Sequence, residues 1–190
     1  MKTGLGIAQK CKFLHTRWNL FRFEWRKRLL GFERANQFAE RVDKDALLRI
    51  LKKHGATIGR DCDIETGLVF HNCRDYSNLV MGDNCHIGKH CFFDLRDKVE
   101  LGNNVVVSMQ CSFITHIDMN KSTLSRKYPL KASAIYIHDN VYLGAHVTVL
   151  MGVEIGGDAL VAAKSLVRDD VEPSAIVAGI PAKPLKKIHS

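Results

Sequence analysis

The sequence predicts an all-β solenoid with an N-terminal α-helical cap. Three observations carry the prediction: an apolar period of six residues, a change of composition near residue 55, and a break in the period just after His116. A period of six is neither the two of a strand nor the 3.6 of a helix. It belongs to a coil in which each hexad supplies one short strand and one corner.

The cap comes first, over residues 1–54. The stretch "TRWNLFRFEWRKRLLGFERANQFAERVDKDALLRILKK" is rich in Arg, Lys, Leu and aromatic residues. Trp18, Phe21 and Trp25, then Leu47, Leu48 and Leu51, fall at helical spacing and predict two or three short helices. Asp43 is the expected N-cap of the last helix and Gly55 its stop. A helical unit here closes one open end of the coil. The aromatics also alternate with Arg17, Arg22, Arg26, Lys27 and Arg28. Residues 17–30 therefore carry a second expectation beside packing as a cap or subunit contact, namely peripheral contact with an anionic membrane.

The coil domain follows, over residues 55–190. In "IHDNVYLGAHVTVLMGVEIGGDALVAAKSLVRDDVE", hexads begin at Ile137, Leu143, Val149, Ile155, Val161 and Val167. Their fifth positions are Val141, Val147, Val153, Ala159, Ser165 and Val171, all small or β-branched. The same frame starts upstream at Ile58, Met81 and Leu101, with "YSNLV" and "VE" inserted between blocks. Cys62, Cys85, Cys91 and Cys111 occupy fifth positions and read as packed thiols. The six cysteines show no CxxC pair and no zinc-finger spacing. Residues 117–134 leave the frame as a loop holding Lys121, Arg126, Lys127, Tyr128, Pro129 and Lys131. A loop that long in a compact domain is usually functional. The tail "PSAIVAGIPAKPLKKIHS" is expected to fold across the second open end.

The formal charge of +8 suits phosphate-bearing partners. The basic residues follow no nucleic-acid-binding motif, so nucleic acid is not expected. The start "MKTGLGIAQK" lacks the apolar run of an export signal, and no stretch is long and apolar enough to span a bilayer. A cytoplasmic protein, at most peripheral at the inner membrane face, is the expectation.

Three segments carry a family resemblance: "FITH" before the loop, "VYLGAHVTVLMGVEIG", and "VAAKSLVRDDV" followed by "VAGIPAKPLKKI". They resemble the hexapeptide-repeat acyltransferases over roughly residues 56–188. The branch of maltose and galactoside O-acetyltransferases, and the O-acetyltransferases of surface-polysaccharide clusters, look most similar. Residues 1–54 lie outside the resemblance. It implies a left-handed parallel β-helix, a homotrimer with sites between subunits, and an acetyl-CoA donor without a metal. It also implies that His116 is the general base. That role suits an imidazole, whose ordinary pKa lies near neutrality. The oxyanion donor falls on the Ala145 backbone N–H and a pantetheine contact on Ala163. Arg168, Lys183 and Lys186 are cations placed to meet the phosphates of the donor. "CFFDLRDK" resembles a DxR segment of the polysaccharide-cluster relatives, which puts Asp94 and Arg96 on the acceptor, or Asp94 behind His116. The expected acceptor is a sugar hydroxyl of a surface polysaccharide or glycolipid precursor.

Other readings fit less of the sequence. The γ-type carbonic anhydrases, zinc enzymes on this scaffold, need a second histidine where Lys121 stands, and His86 and His90 are four apart, which does not share a face in hexads. A serine acetyltransferase would carry a histidine in "FFDLRDKVELG", which has none. An amino-group acceptor stays open. A scaffold with a decayed site would have no reason to keep His116, the loop and the tail together.

Overall fold

The computed structural model describes residues 6–187. From Thr57 onward the chain visits three parallel sheets in rotation. The first pass uses Thr57–Ile58, Asp63–Ile64 and Val69–His71. The next uses Leu79–Met81, His86–Ile87 and Phe92–Asp94, and the third Val99–Leu101, Val106–Val107 and Ser112–Ile114. Each strand pairs in parallel with its counterpart one pass later: Ile58 with Met81, Ile64 with Ile87, Phe70 with Phe93. After the interruption the same rotation resumes at Ile135–Ile137, which pairs back onto Val99–Leu101.

The hexad positions explain this path. First and fifth positions are buried: Ile137, Val141, Leu143 and Val147 lie at 2% exposure or below. Phe70, Phe93 and Phe113 stack along the third sheet with centroids 5.7 and 4.8 Å apart. The fifth-position thiols do more than fill space. Cys62, Cys85, Cys91 and Cys111 each donate S–H to a carbonyl one pass further on, at 3.1 to 3.2 Å.

Fourth positions take the left-handed conformation. Asp61, Asn84, His90, Asn104, Gln110, Asn140, His146, Asp158 and Lys164 all have φ between 55° and 61°. Asn and Asp tolerate that region best. Along one corner they also form a ladder. Asn84 donates to Asn104, Asn104 to Asn140, and Asn140 to Asp158, at 2.9 to 3.0 Å. The corner is thus held by two amide-to-amide bonds and one amide-to-carboxylate bond that link successive passes.

The cap holds three helices, α1 (Ile7–Leu30), α2 (Phe32–Ala39) and α3 (Lys44–Lys53). Asp43 caps α3 as expected, accepting from Ala46 N at 3.0 Å. Ala46, Leu47, Ile50 and Leu51 join one apolar core with the coil. One expectation fails in detail: the first helix is not short, with 24 residues. Of its aromatics Phe23 is fully buried, while Trp18, Phe21 and Trp25 are 57%, 50% and 53% exposed. Thr16 and Asn19 face the cap instead, because both donate to Asp43, at 3.3 and 3.0 Å.

The tail also differs. It does not simply lie across the open end. Ala175–Gly179 adds a parallel strand to the second sheet, and Ala182–Lys187 returns antiparallel beside it. Between this hairpin and Val171 a cleft of about 280 Å³ remains at the end of the coil.

Candidate active site

The break in the repeat is a hairpin rather than a bare loop. His116–Ile117 pairs antiparallel with Lys131–Ala132, and Ser133 N donates to Thr115 O at 2.9 Å. A 3₁₀ turn, Thr123–Arg126, forms the tip. Leu124, Tyr128 and Leu130 on it are exposed. His116 sits at the base of this hairpin, where a strand of the third sheet would otherwise turn the corner.

The imidazole is held from behind. Its Nδ1 lies 2.5 Å from Asp94 Oδ2, and Asp94 is 1% exposed. The carboxylate also accepts from Thr115 N at 2.9 Å, Thr115 Oγ1 at 3.0 Å and Asn72 Nδ2 at 3.2 Å. Burial pushes the Asp94 carboxyl up. The hydrogen bonds from His116, Asn72 and Thr115 outweigh it and hold the carboxyl below its usual 3.8. An ionised Asp94 accepts from Nδ1–H, which puts the imidazole lone pair on Nε2. The Asn72 amide approaches that Nε2 at 3.3 Å.

Asp94 therefore stands behind His116. Every donor around it is already bonded to it, and its burial keeps it off any acceptor. Arg96 lies at the mouth, 3.7 Å from Asp118 Oδ2 on the hairpin, with its side chain 40% exposed. Cys73, next to Asn72, is no nucleophile: burial pushes its thiol up to about 12.

The residues assigned to the donor form a second group. Gly144, Ala145 and Ala163 occupy one corner on successive passes. A methyl added to Gly144 would lie 2.6 Å from Ala163 N, so the two backbones touch. Among the described residues no backbone acceptor is paired with the Ala145 N–H. Arg168 and Lys183 share Asp169, at 3.3 and 3.8 Å. The side chain of Lys186 lies outside the described residues. Among the described residues no cluster of three or more His, Cys, Asp or Glu stands ready to hold a metal ion.

The two groups do not meet within one chain. Ala145 precedes Thr148–Leu150, and His146 N bonds Met109 O. His116 follows Ser112–Ile114, the strand paired with Thr148–Leu150. Ala145 and His116 thus flank opposite ends of the third sheet. From the six residues between Met109 and His116 and the rise of a strand, they are on the order of 20 Å apart.

Asn72 is the site residue that sequence reasoning missed. It follows His71, the strand partner of Asp94, and sits in a left-handed corner with φ 54°, where the hexad period does not show which way the side chain turns.

Known proteins resemble this chain in sequence and fold. The pattern described as "Hexapeptide repeat of succinyl-transferase" matches residues 79–109 and 135–163. The galactoside O-acetyltransferase of Escherichia coli K12 is 26% identical over 175 residues, covering 86% of this chain and 78% of its own. A protein of the same organism named for lipopolysaccharide biosynthesis O-acetyl transfer is 30% identical, covering 58% of this chain and 61% of its own, less than two thirds. A hexapeptide-repeat-containing acetyltransferase from Vibrio cholerae shares the fold at a TM-score of 0.73 and 20% identity, covering 94% of each chain. With the three-sheet coil, the hairpin break and these relatives together, the chain carries the hexapeptide repeat over these two segments and is similar to hexapeptide-repeat acetyltransferases along most of its length.

Proposed function

We propose that the protein is an acetyl-CoA-dependent O-acetyltransferase that modifies a sugar hydroxyl of a surface-polysaccharide or glycolipid precursor. The observation that carries this is the His116–Asp94 pair at the base of the hairpin. Two relatives are named for O-acetyl transfer to a galactoside and in lipopolysaccharide biosynthesis. His116 Nε2 takes the proton of the acceptor hydroxyl as its oxygen attacks the thioester carbonyl. The Ala145 N–H of a second copy holds the oxyanion. Collapse breaks the C–S bond, and the thiolate leaves with the proton returned by His116. Asp94 keeps the imidazole in the competent tautomer and stabilises its charged form.

The separation of His116 from Ala145 supports a composite site. One chain supplies the base and hairpin, and another supplies the Ala145–Ala163 corner with Arg168 and Lys183. A homotrimer with a left-handed coil, as the family resemblance implies, would repeat that juxtaposition three times. Arg96 at the mouth is the side chain best placed to bond acceptor hydroxyls.

The test pairs calorimetry with turnover. Acetyl-CoA binding by the unaltered protein and by His116→Ala should agree within about threefold, while CoA release with sugar acceptors should fall at least 10²-fold in the variant. Absence of acetyl-CoA binding in both would overturn the reading.

A further inference from the structure

Helix α1 turns an apolar stripe outward. Leu14, Trp18, Phe21, Trp25 and Leu29 are between 50% and 63% exposed. Their spacings of four, three, four and four residues keep them within an arc of about 80° on a helix. Trp18 and Phe21 stack at 5.6 Å, and Phe21 and Trp25 lie 6.3 Å apart. The stripe is a continuous surface.

Its rim is positive on both sides. At the helical pitch Arg17 and Arg28 fall on one flank, Arg22 and Arg26 on the other. The guanidinium groups of Arg22 and Arg26 lie over the Phe38 ring, 4.9 and 4.4 Å from its centroid, which holds that flank in place. Glu24 is the single acidic residue of α1. It is bonded to Lys53 at 2.5 Å and His54 at 3.1 Å, facing the cap. Glu24 does line the concavity beside Phe21, Trp25, Arg28 and Leu29, but Lys53 takes up its charge, so the rim stays positive.

That charge pattern selects among occupants. A second copy meeting this face with its own would set arginines against arginines with no acidic partner. An anionic surface accepts the stripe and the rim together. With 24 residues α1 has the length of a spanning helix, yet no helix among the described residues is apolar enough to cross a bilayer. A helix of this kind lies in the interface.

We propose that α1 lies flat on an anionic lipid bilayer, with Trp18, Phe21 and Trp25 at headgroup level and the flanking arginines on lipid phosphates. The cap is coupled to the site: Asn36 of α2 donates to Phe70 O at 2.6 Å, and Asn72, two residues on, touches His116 at 3.3 Å. Docking therefore holds the first pass of the coil, and the base with it, at the membrane. The acceptor that this favours is a glycan carried on a membrane lipid, a step that rests on the acetyl-transfer reading while the docking itself does not.

Trp18 and Trp25 are the two tryptophans of the chain, so intrinsic emission reads the stripe directly. The full chain is titrated with vesicles of phosphatidylcholine alone and with one third phosphatidylglycerol. The expected result is a blue shift and co-flotation with the anionic vesicles only, weakened by added salt. Replacing both Arg17 and Arg28 by Gln should lower partitioning on the order of 30-fold. Leu14→Ser with Leu29→Ser, which keeps both tryptophans, should lower it about tenfold or more. Circular dichroism checks that the variants fold. Emission unmoved by anionic vesicles overturns the proposal. So does emission already blue in the protein alone, which would assign the stripe to a second copy, or equal binding to uncharged vesicles. Acetyl-CoA calorimetry on the same samples separates the two readings: lipid binding without donor binding sinks acetyl transfer alone, and the reverse sinks docking alone.

Discussion

Asp94→Asn probes the chemistry behind His116 most directly. The carboxylate has donors on both oxygens. Oδ2 takes His116 Nδ1 at 2.5 Å, Thr115 N at 2.9 Å and Thr115 Oγ1 at 3.0 Å. Oδ1 takes Asn72 Nδ2 at 3.2 Å and Arg96 N at 3.4 Å. An asparagine must put its NH₂ against one of these sets. The shorter bonds decide: its oxygen stays with Thr115 and His116, and its NH₂ faces the looser pair. In that orientation the tautomer of His116 survives and only the negative charge is lost. A hydrogen bond to a charged group is worth about 1.5–3 kcal/mol against about 1 for a neutral one. The difference, about 0.5–2 kcal/mol, corresponds to a loss of about 2- to 30-fold in kcat/KM. The opposite orientation would present NH₂ to Nδ1 and invert the tautomer, a change that costs on the order of 10⁴ where it removes a catalytic base. The assay is CoA release with a saturating sugar acceptor, with KM for acetyl-CoA and thermal unfolding measured in parallel. A purely structural role would move stability without this selective loss of rate. A rate within twofold of the original refutes the coupling of Asp94 to His116. A loss near 10⁴ with intact folding refutes the argument that the shorter bonds set the orientation.

Three further outcomes follow from the packing and from one buried imidazole. Phe113 is fully buried against Phe93, so Phe113→Ala should cost about 3–5 kcal/mol in denaturant titration. A cost below about 1 kcal/mol would mean that the phenylalanine stack does not hold the coil. Gly144→Ala places a methyl 2.6 Å from Ala163 N and 2.9 Å from Ala163 Cα. It should destabilise by about 1–3 kcal/mol and weaken acetyl-CoA binding in calorimetry, and unchanged binding would remove this corner from the donor site. His54 has its pKa lowered from 6.5, by burial first and by Lys27 second, against the opposing pull of Glu24. The unfolded chain then takes up a proton before the folded one, so stability is full above about pH 6.5 and falls as the pH drops below it. His54→Gln should flatten that acid slope in melting temperature, and an unchanged slope would place its origin elsewhere.

What the sequence discloses and what it hides divides along physical lines. Inward positions are legible because each hexad buries its first and fifth residues against the same neighbours, so Ile137 and Leu143 repeat a type whatever the corner does. His116 is legible because a regular coil gives no reason for a hairpin there. The left-handed corners at Asn84, Asn104 and Asn140 leave only a bias toward Asn and Asp, and their amide ladder depends on the register between passes. Asn72 is another such corner, with φ 54°, and the period does not show that its side chain turns toward His116. Helical spacing marks Trp18, Phe21 and Trp25 as one face but not which way it turns. The turn is set by Asp43, whose carboxylate draws Thr16 and Asn19 inward and leaves the aromatics outside.

The coil also imposes the division of the proposed site. Residues stacked on successive passes are neighbours, as Gly144 and Ala163 are. Residues at the two ends of one side are kept apart by the length of a strand, as Ala145 and His116 are, and no local rearrangement shortens that distance without breaking the pairing of Thr148–Leu150 with Ser112–Ile114. A base at one corner and an oxyanion donor at the other can work together only when two sides from different copies face each other. Catalysis and assembly are then one property. Dilution that separates the copies should abolish turnover in a chain that stays folded, whereas the His116–Asp94 pair, being internal to one chain, should persist.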